Sequence, residues 1–176
     1  MTDSIDATPR GGVEAPDRFR TMMRGFPTGV AVVTATDLAG QPWGMTCSSV
    51  CSVTLDPPTL LISLRSASPT LAAILGCGRF TVNLLHDRAW RTAELFASGN
   101  PGRFDLVDWD LDADSAGPHL GSDAHAAADC RVGTTVPAGD HTVVFGEAYR
   151  ITLRPGHPLL YGLRGYRRWP SAEPTN

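Results

Sequence analysis

The sequence contains no lysine. All fifteen of its basic residues other than histidine are arginine. A Schiff base on a lysine amine is therefore excluded, and so is a phosphate-binding loop that depends on a lysine. Any phosphate that this chain binds must be held by backbone amides, by hydroxyl groups or by arginine.

Long apolar runs and a strong charge of either sign are also missing. No segment is long enough to span a membrane, and a formal net charge of −3 provides no basic field for nucleic acid. Cys47, Cys51, Cys77 and Cys130 follow no secretory signal, which favours free thiols in a reducing cytoplasm. The Cys47-x3-Cys51 spacing has no second ligand pair at a usual distance, so no metal site is expected. We expect a cytoplasmic protein that binds neither nucleic acid nor a membrane.

The pattern of apolar segments predicts one domain that is mainly β with a few short helices. Many short strands with abundant glycine and proline favour a closed or nearly closed antiparallel barrel. A Rossmann unit is disfavoured because no G-x-G-x-x-G joins a strand to a helix. The predicted strands are 30–36, a strand from Trp43, 59–64, 79–85, 130–136, 141–153 and 159–163.

Three short helices and two tails complete this prediction. One helix is capped by Asp17 and ends at Gly25, one follows Ser68-Pro69, and one runs over 88–97 with Asp87 as its cap. The domain is expected to cover 17–170, with a disordered tail over 1–16 and a second tail over 171–176. The segment 99–128 has little periodicity and is expected to be a long surface loop.

The segment Gly44–Val53 carries small hydroxyl and thiol side chains and is followed by Leu55-Asp56-Pro57-Pro58. Small side chains let a flat or phosphorylated ligand approach the backbone N–H groups, and serine and threonine hydroxyls add further donors. A polar edge strand that runs into a turn is the simpler interpretation of the same residues.

Three further polar positions stand out. Thr28 precedes Gly29, where the backbone permits close approach of a ligand. Ser68 suits a helix cap, and the helix N-terminus at Ser68 and Thr70 is also a natural phosphate site. Asn83 interrupts an apolar strand, and its buried amide needs partners from a ligand or from a neighbouring loop.

Five separated stretches, in this order, resemble the short-chain flavin reductases, which are the reductase components of two-component flavin-dependent monooxygenases. They are Phe26–Val30, Gly44–Val53 with Leu55–Pro58, Phe80–Leu85, Gly139–Thr142 with Gly146-Glu147, and Pro158–Tyr166.

The resemblance implies a Greek-key-like antiparallel barrel, the FMN-binding split β-barrel. It implies a homodimer that binds FMN or FAD near its interface and uses NADH or NADPH, with a monooxygenase as partner. No catalytic side chain is implied, because the cofactors carry the chemistry. The implied flavin-binding residues are Thr28, Met45, Thr46, Cys47, Ser48, Ser49, Ser68, Thr70 and Asn83. The implied nicotinamide-binding residues are His141 and Tyr166.

We therefore predict an NAD(P)H:flavin oxidoreductase that supplies reduced flavin to a monooxygenase. Two alternatives remain. The first is a split-barrel flavoprotein oxidase that acts on its own substrate, although a phosphorylated substrate would call for more basic groups. The second is a non-catalytic flavin or haem carrier, in which His141 would be a packing residue or an axial ligand.

Overall fold

The computed structural model describes residues 14–169, which form ten β-strands, three α-helices and one short 3-10 helix. The strands are β1 Thr28–Gly29, β2 Ala31–Thr36, β3 Pro42–Cys47, β4 Val50–Leu55, β5 Pro58–Arg65, β6 Arg79–Leu85, β7 Ala124–Ala138, β8 His141–Leu153, β9 Leu159–Gly162 and β10 Gly165–Arg168. The helices are α1 Glu14–Arg24, α2 Pro69–Cys77 and α3 Trp90–Ala97, and the 3-10 helix is Arg103–Leu106.

Seven of the strands form one antiparallel sheet in the order β3-β2-β6-β7-β8-β5-β4. Its two outer strands, β3 and β4, are neighbours in the chain and are joined by Ser48 and Ser49 alone. The sheet therefore curls until its outer strands come together at this link, where they are not paired with each other. The predicted split β-barrel is confirmed. Strands β1, β9 and β10 form a small second sheet.

Strand β2 is buried on both faces, which explains its continuous apolar run. Ala31, Val33 and Ala35 point into the barrel, where α2 packs over one end. Val30 and Val32 point the other way, into a second core beneath α3.

Two helix starts differ from the prediction. Helix α1 already includes Glu14, so Asp17 lies within it, with its carboxylate 2.7 Å from the Arg20 guanidinium. Helix α3 begins at Trp90, because residues 86–89 form a turn in which the Ala89 N–H donates to the His86 carbonyl. Asp87 is therefore no cap. Residues 14–16 are helical, while 1–13 and 170–176, which hold the rest of the predicted tails, lie outside the described residues.

The predicted surface loop over 99–128 is wrong in two respects. Strand β7 begins at Ala124, six residues before the predicted start at Cys130, and residues 115–120 are buried. The segment 124–129 contains mostly alanine and no β-branched residue, so its composition hides the strand. Gly117 shows how closely the loop packs, since a Cβ there would lie 2.7 Å from the Thr34 carbonyl oxygen.

The carboxylate of Asp129 holds this loop against the sheet. Asp129 is fully buried and accepts hydrogen bonds from the Thr81 hydroxyl at 2.6 Å, the Ala116 N–H at 2.9 Å and Arg150 Nε at 2.6 Å. The His119 Nε2 atom lies 3.0 Å from both carboxylate oxygens. Burial by itself would raise the pKa of Asp129, but these hydrogen bonds outweigh it and hold that pKa well below its usual value.

We expect Asp129→Asn to lower the free energy of unfolding by roughly 2–4 kcal/mol at pH 7, because it removes the charge and leaves donors unpaired. A carboxyl group whose pKa is lower in the folded protein than in the unfolded chain stabilises the fold at pH values above the unfolded pKa, which is about 3.9. This stabilisation is lost as the pH falls towards the folded pKa. The gap between wild type and variant should therefore narrow below about pH 4.

Urea unfolding at a series of pH values measures this gap. Asp108→Asn, at an exposed carboxylate of the same loop, is the matched control and should change the unfolding energy little. A gap that stays constant down to pH 3 would contradict the proposed linkage.

Candidate functional site

The open seam of the barrel lies at the Ser48-Ser49 link. Strand β3 has a sheet partner only on its β2 side, so part of its backbone faces away from the sheet. Both serines are exposed, and within residues 14–169 neither of their N–H groups donates to a backbone carbonyl. The link therefore carries two backbone N–H groups without a carbonyl partner on exposed residues.

Four of the predicted flavin-binding residues meet here. The Cys47 Sγ and Ser49 Oγ atoms are 3.3 Å apart, and the Ser49 hydroxyl donates to the Ser63 carbonyl at 2.8 Å. The Ser68 hydroxyl lies 3.3 Å from the Met45 sulfur. These contacts bring the end of β3, the link, the end of β5 and the start of α2 together.

Thr46 points to the opposite face of β3, towards α3. Its hydroxyl donates to the Ala93 carbonyl at 2.6 Å, so its proton is not available to a ligand in this structure. Next to it, a Cβ on Gly44 would lie 3.0 Å from the Phe96 ring, which shows that β3 and α3 pack closely. The Thr46 side chain therefore anchors α3 to the seam.

The start of α2 differs from the prediction in one detail. Ser68 occupies the N-cap position, but its side chain makes no hydrogen bond to the helix amides. The first-turn N–H groups, including that of Thr70, therefore have no side-chain cap. Thr70 is buried as a whole residue, so half-buried Ser68 is the more accessible residue at this helix start.

The structure does not support the assignment of Asn83 to the flavin. Its side chain is fully buried, and its amide donates to the carbonyl of Pro118 at 3.1 Å and to the Thr34 hydroxyl at 3.2 Å. Its amide oxygen accepts the Leu120 N–H at 2.9 Å. The neighbouring loop, which was the other partner considered, satisfies this amide.

His141 begins β8 at the same end of the barrel as the link. It pairs with Arg65 at the end of β5, and the Ser66 N–H donates to the Asp140 carbonyl at 2.9 Å. The His141 side chain is 38% exposed, and its Nδ1 lies 2.7 Å from Asp140 Oδ1. This hydrogen bond lowers the pKa of Asp140 and fixes the imidazole ring, leaving Nε2 to face a ligand.

Thr28 and Tyr166 lie in the small sheet, on either side of Tyr161. The rings of Tyr161 and Tyr166 are 5.1 Å apart between centroids. Burial raises the pKa of Tyr166, and the nearby Glu94 carboxylate adds to this effect. Since Glu94 follows Ala93 on α3, this helix connects the small sheet to the seam at Thr46.

Two kinds of hydrogen-bond partner within the site were not predicted from the sequence. Asp140 holds His141, and the adjacent Asp-His pair in the sequence was a usable signal for this contact. The Ser63 and Ala93 carbonyls bind Ser49 and Thr46, and no side-chain pattern could have indicated them because they are backbone groups.

The longest helix in residues 14–169 is α1, and its 11 residues are too few to span a bilayer.

The thiols should differ sharply in reactivity. Burial raises the pKa of Cys47, and it raises the pKa of Cys130 to about 12, whereas Cys51 is exposed. Since the thiolate is the reactive form, iodoacetamide at pH 8 should label Cys51 well before Cys47 or Cys130. Peptide mapping by mass spectrometry over time measures the order, and equal rates at Cys47 and Cys51 would contradict the burial of Cys47. Labelling in urea should remove the difference.

Comparison with known proteins defines the class to which this fold and seam belong. Residues 23–170 match the flavin reductase like domain. The chain therefore belongs to the flavin reductase family.

Individual relatives cover nearly the whole chain. It is 50% identical over 169 residues to a flavin reductase (NADPH) of Lentzea aerocolonigenes, covering 96% of this chain and 98% of that protein. It is 36% identical over 162 residues to the reductase subunit of a flavin-dependent monooxygenase of Rhodococcus jostii, covering 89% and 81%. Among solved structures, the NADH:FAD oxidoreductase of Streptomyces globisporus, in complex with NAD and FAD fragments, matches with a TM-score of 0.84 and 31% identity, over 91% of this chain and 96% of that one.

Proposed function

We propose that this protein is an NAD(P)H:flavin oxidoreductase, which reduces FMN or FAD at the seam and supplies the reduced flavin to a monooxygenase. The observation that supports it most is the cluster of neutral donors at the Ser48-Ser49 link, beside His141, in a chain that belongs to the flavin reductase family. One relative is named for NADPH and one similar structure for NADH, so the proposal covers both nucleotides.

The residues at the seam fit a flavin. A lysine-free chain must hold a phosphorylated ligand with hydroxyls, amides or arginine, and the seam supplies the N–H groups of two exposed residues, Ser48 and Ser49, which have no carbonyl partner within residues 14–169. At the uncapped start of α2, Ser68 is the residue that we assign to a phosphate, with the buried Thr70 behind it. Neutral contacts of this kind suit a flavin that must leave again after its reduction. Thr28, Met45 and Cys47 complete the proposed flavin-binding set.

The bound cofactors supply the hydride donor and acceptor, so no side chain needs to form a covalent bond. The link amides would donate to the ring oxygens of the flavin and stabilise negative charge there. His141, held by Asp140, would orient the nicotinamide against the flavin, with Tyr166 beside it. Holding the two rings at reacting distance accounts for a large part of the decrease in the activation barrier.

We also propose a homodimer that acts in the cytoplasm. A dimer is typical of the family, and the described chain leaves large apolar side chains of its barrel exposed, among them Ile151 and Leu153. The four cysteines, Cys47, Cys51, Cys77 and Cys130, are unpaired, as suits a reducing compartment.

One assay separates this function from the alternatives. Purified protein is mixed with an excess of NADH or NADPH and free FMN or FAD, and the nicotinamide absorbance is followed. Flavin-dependent loss of the nucleotide over many turnovers per enzyme is the expected result. Tightly held yellow flavin without nucleotide consumption would indicate a carrier, and a Soret band would indicate haem binding. Either outcome would overturn the proposal.

We expect His141→Ala and Ser48→Ala to affect different cofactors. Loss of the imidazole should raise KM for the nicotinamide nucleotide about tenfold, equivalent to about 1.4 kcal/mol, with flavin affinity changed less than about twofold. Loss of the exposed Ser48 hydroxyl should weaken flavin binding by roughly twofold to tenfold, as expected for one hydrogen bond. Steady-state kinetics and flavin fluorescence titration measure the two effects.

His157→Ala is the matched control, since His157 is exposed and its backbone carbonyl, which accepts the Asp87 N–H, is retained. It should leave both constants unchanged. If His141→Ala weakened flavin and nucleotide binding equally, its assignment to the nicotinamide would be refuted.

A further inference from the structure

Helix α1 has an apolar face that the rest of residues 14–169 leaves uncovered. Phe19, Met22 and Met23 follow the spacing i, i+3, i+4 and therefore share one side of the helix, and Phe26 follows in the bend after the helix ends at Arg24. They are 60%, 61%, 42% and 62% exposed, and every residue from 15 to 27 is exposed.

Such a helix needs a partner. It contains 11 residues, and isolated helices shorter than about 12–15 residues are only marginally stable in water. Most helical stability in proteins comes from packing of an apolar face, and the face of α1 remains largely exposed within residues 14–169. Within the described part of the chain, this face is therefore available to a partner molecule.

The barrel has an uncovered apolar surface of its own. One end is filled by α2, and the opposite end opens into a groove of about 390 Å³, which we call the barrel mouth. Ala126, Ala128 and Ala148 form part of its wall, and their small side chains leave the space empty. Leu55, Leu84, Ile151 and Leu153 also line it and are exposed.

Helix α1 does not fill the mouth of its own chain. Its C-terminal end is attached to the turn between β9 and β10, where the Leu163 N–H donates to the Arg24 carbonyl at 2.8 Å. At the same turn Gly162 lies against Pro27, because a Cβ on Gly162 would be 3.3 Å from the Pro27 Cα. The mouth is instead lined by β4, β5, β6, β7 and β8.

We infer that the barrel mouth of one copy receives helix α1 of a second copy, and that this exchange forms the dimer. The inference rests on the homodimer proposed above and names the surfaces that build it. A two-fold axis makes the contact reciprocal, so each dimer contains two helix–mouth contacts.

The size of the two surfaces supports this pairing. Aromatic side chains bury roughly 150–250 Å² each, and a typical specific interface buries about 800 Å² on each partner. Each copy contributes two phenylalanine and two methionine side chains at one contact and its own barrel mouth at the other. Together these surfaces supply an area of this order. Methionine also adapts well to an irregular groove.

Charge makes a smaller contribution. Within α1, the two acidic residues Glu14 and Asp17 offset two of the three arginines Arg18, Arg20 and Arg24, so the helix keeps one excess positive charge. Asp56, next to the lining residue Leu55, is exposed at the mouth. A single arginine beside this carboxylate favours the same orientation.

The first test compares Met22→Glu with Thr21→Glu, which places the same charge on the opposite face of the helix. Ile151→Glu in the mouth is compared with Val136→Glu, at an exposed position outside it. Size-exclusion chromatography with light scattering should show a wild-type dimer. Met22→Glu and Ile151→Glu should raise its dissociation constant about tenfold or more, and the two controls should not. Circular dichroism checks that each variant is folded.

The second test detects the contact directly. Two differently tagged copies, one with Met22→Cys and the other with Ile151→Cys, are mixed and oxidised in a Cys51→Ser background. A disulfide that joins both tags is expected, and Thr21→Cys in place of Met22→Cys should give little of it. Equal cross-linking by Thr21→Cys, an intrachain disulfide in a doubly substituted monomer, or dimers unaffected by Met22→Glu would overturn the helix–mouth contact while leaving the reductase proposal standing.

A monomeric wild-type chain would overturn both the dimer and this contact. Conversely, a dimer joined by this contact that fails to oxidise the nucleotide in the presence of flavin would refute the proposed function and leave the contact intact.

Discussion

The unpaired seam between β3 and β4 is the constraint on which the candidate site depends. Six strand pairings hold the sheet together. The further pairing that would close the barrel between β3 and β4 is replaced by the Ser48-Ser49 link. In a fully closed barrel the outward backbone groups of β3 would be used by a neighbouring strand. Because the barrel stays split, those groups remain available, and neutral donors can replace the missing lysine.

An edge strand without a second partner must be held in other ways. Ser68 contacts Met45 from the α2 side, and Thr46 bonds the Ala93 carbonyl on the α3 side. Helix α3 is itself supported from below by Phe104 and Leu120. Leu120 is positioned by Asn83, so the buried amide that is not a ligand still contributes to the site through α3.

The Asp129 carboxylate serves the same purpose for the rest of the buried loop. It binds Thr81 on β6, Ala116 and His119 in the loop, and Arg150 on β8. A buried charge with this many donors is costly to disturb, because each donor loses its partner when the charge is removed. The loop, α3 and β3 therefore form one connected support for the seam. The apolar face of α1 is the exception, since nothing in the described chain covers it.

The sequence by itself determined the barrel class, the position of most strands and the polar segment at the seam, because these depend on local composition and spacing. Strand β2 was predictable since burial on both faces demands a continuous apolar run, and α2 since Ser68-Pro69 begins it. Only the tertiary structure decided that Thr46 bonds a helix carbonyl, that Asn83 and Asp129 bind the loop, and that Ala124–Ala128 is a strand. The partners of these residues lie tens of residues away in the chain, and their pairing follows from strand register and packing, which local patterns do not encode.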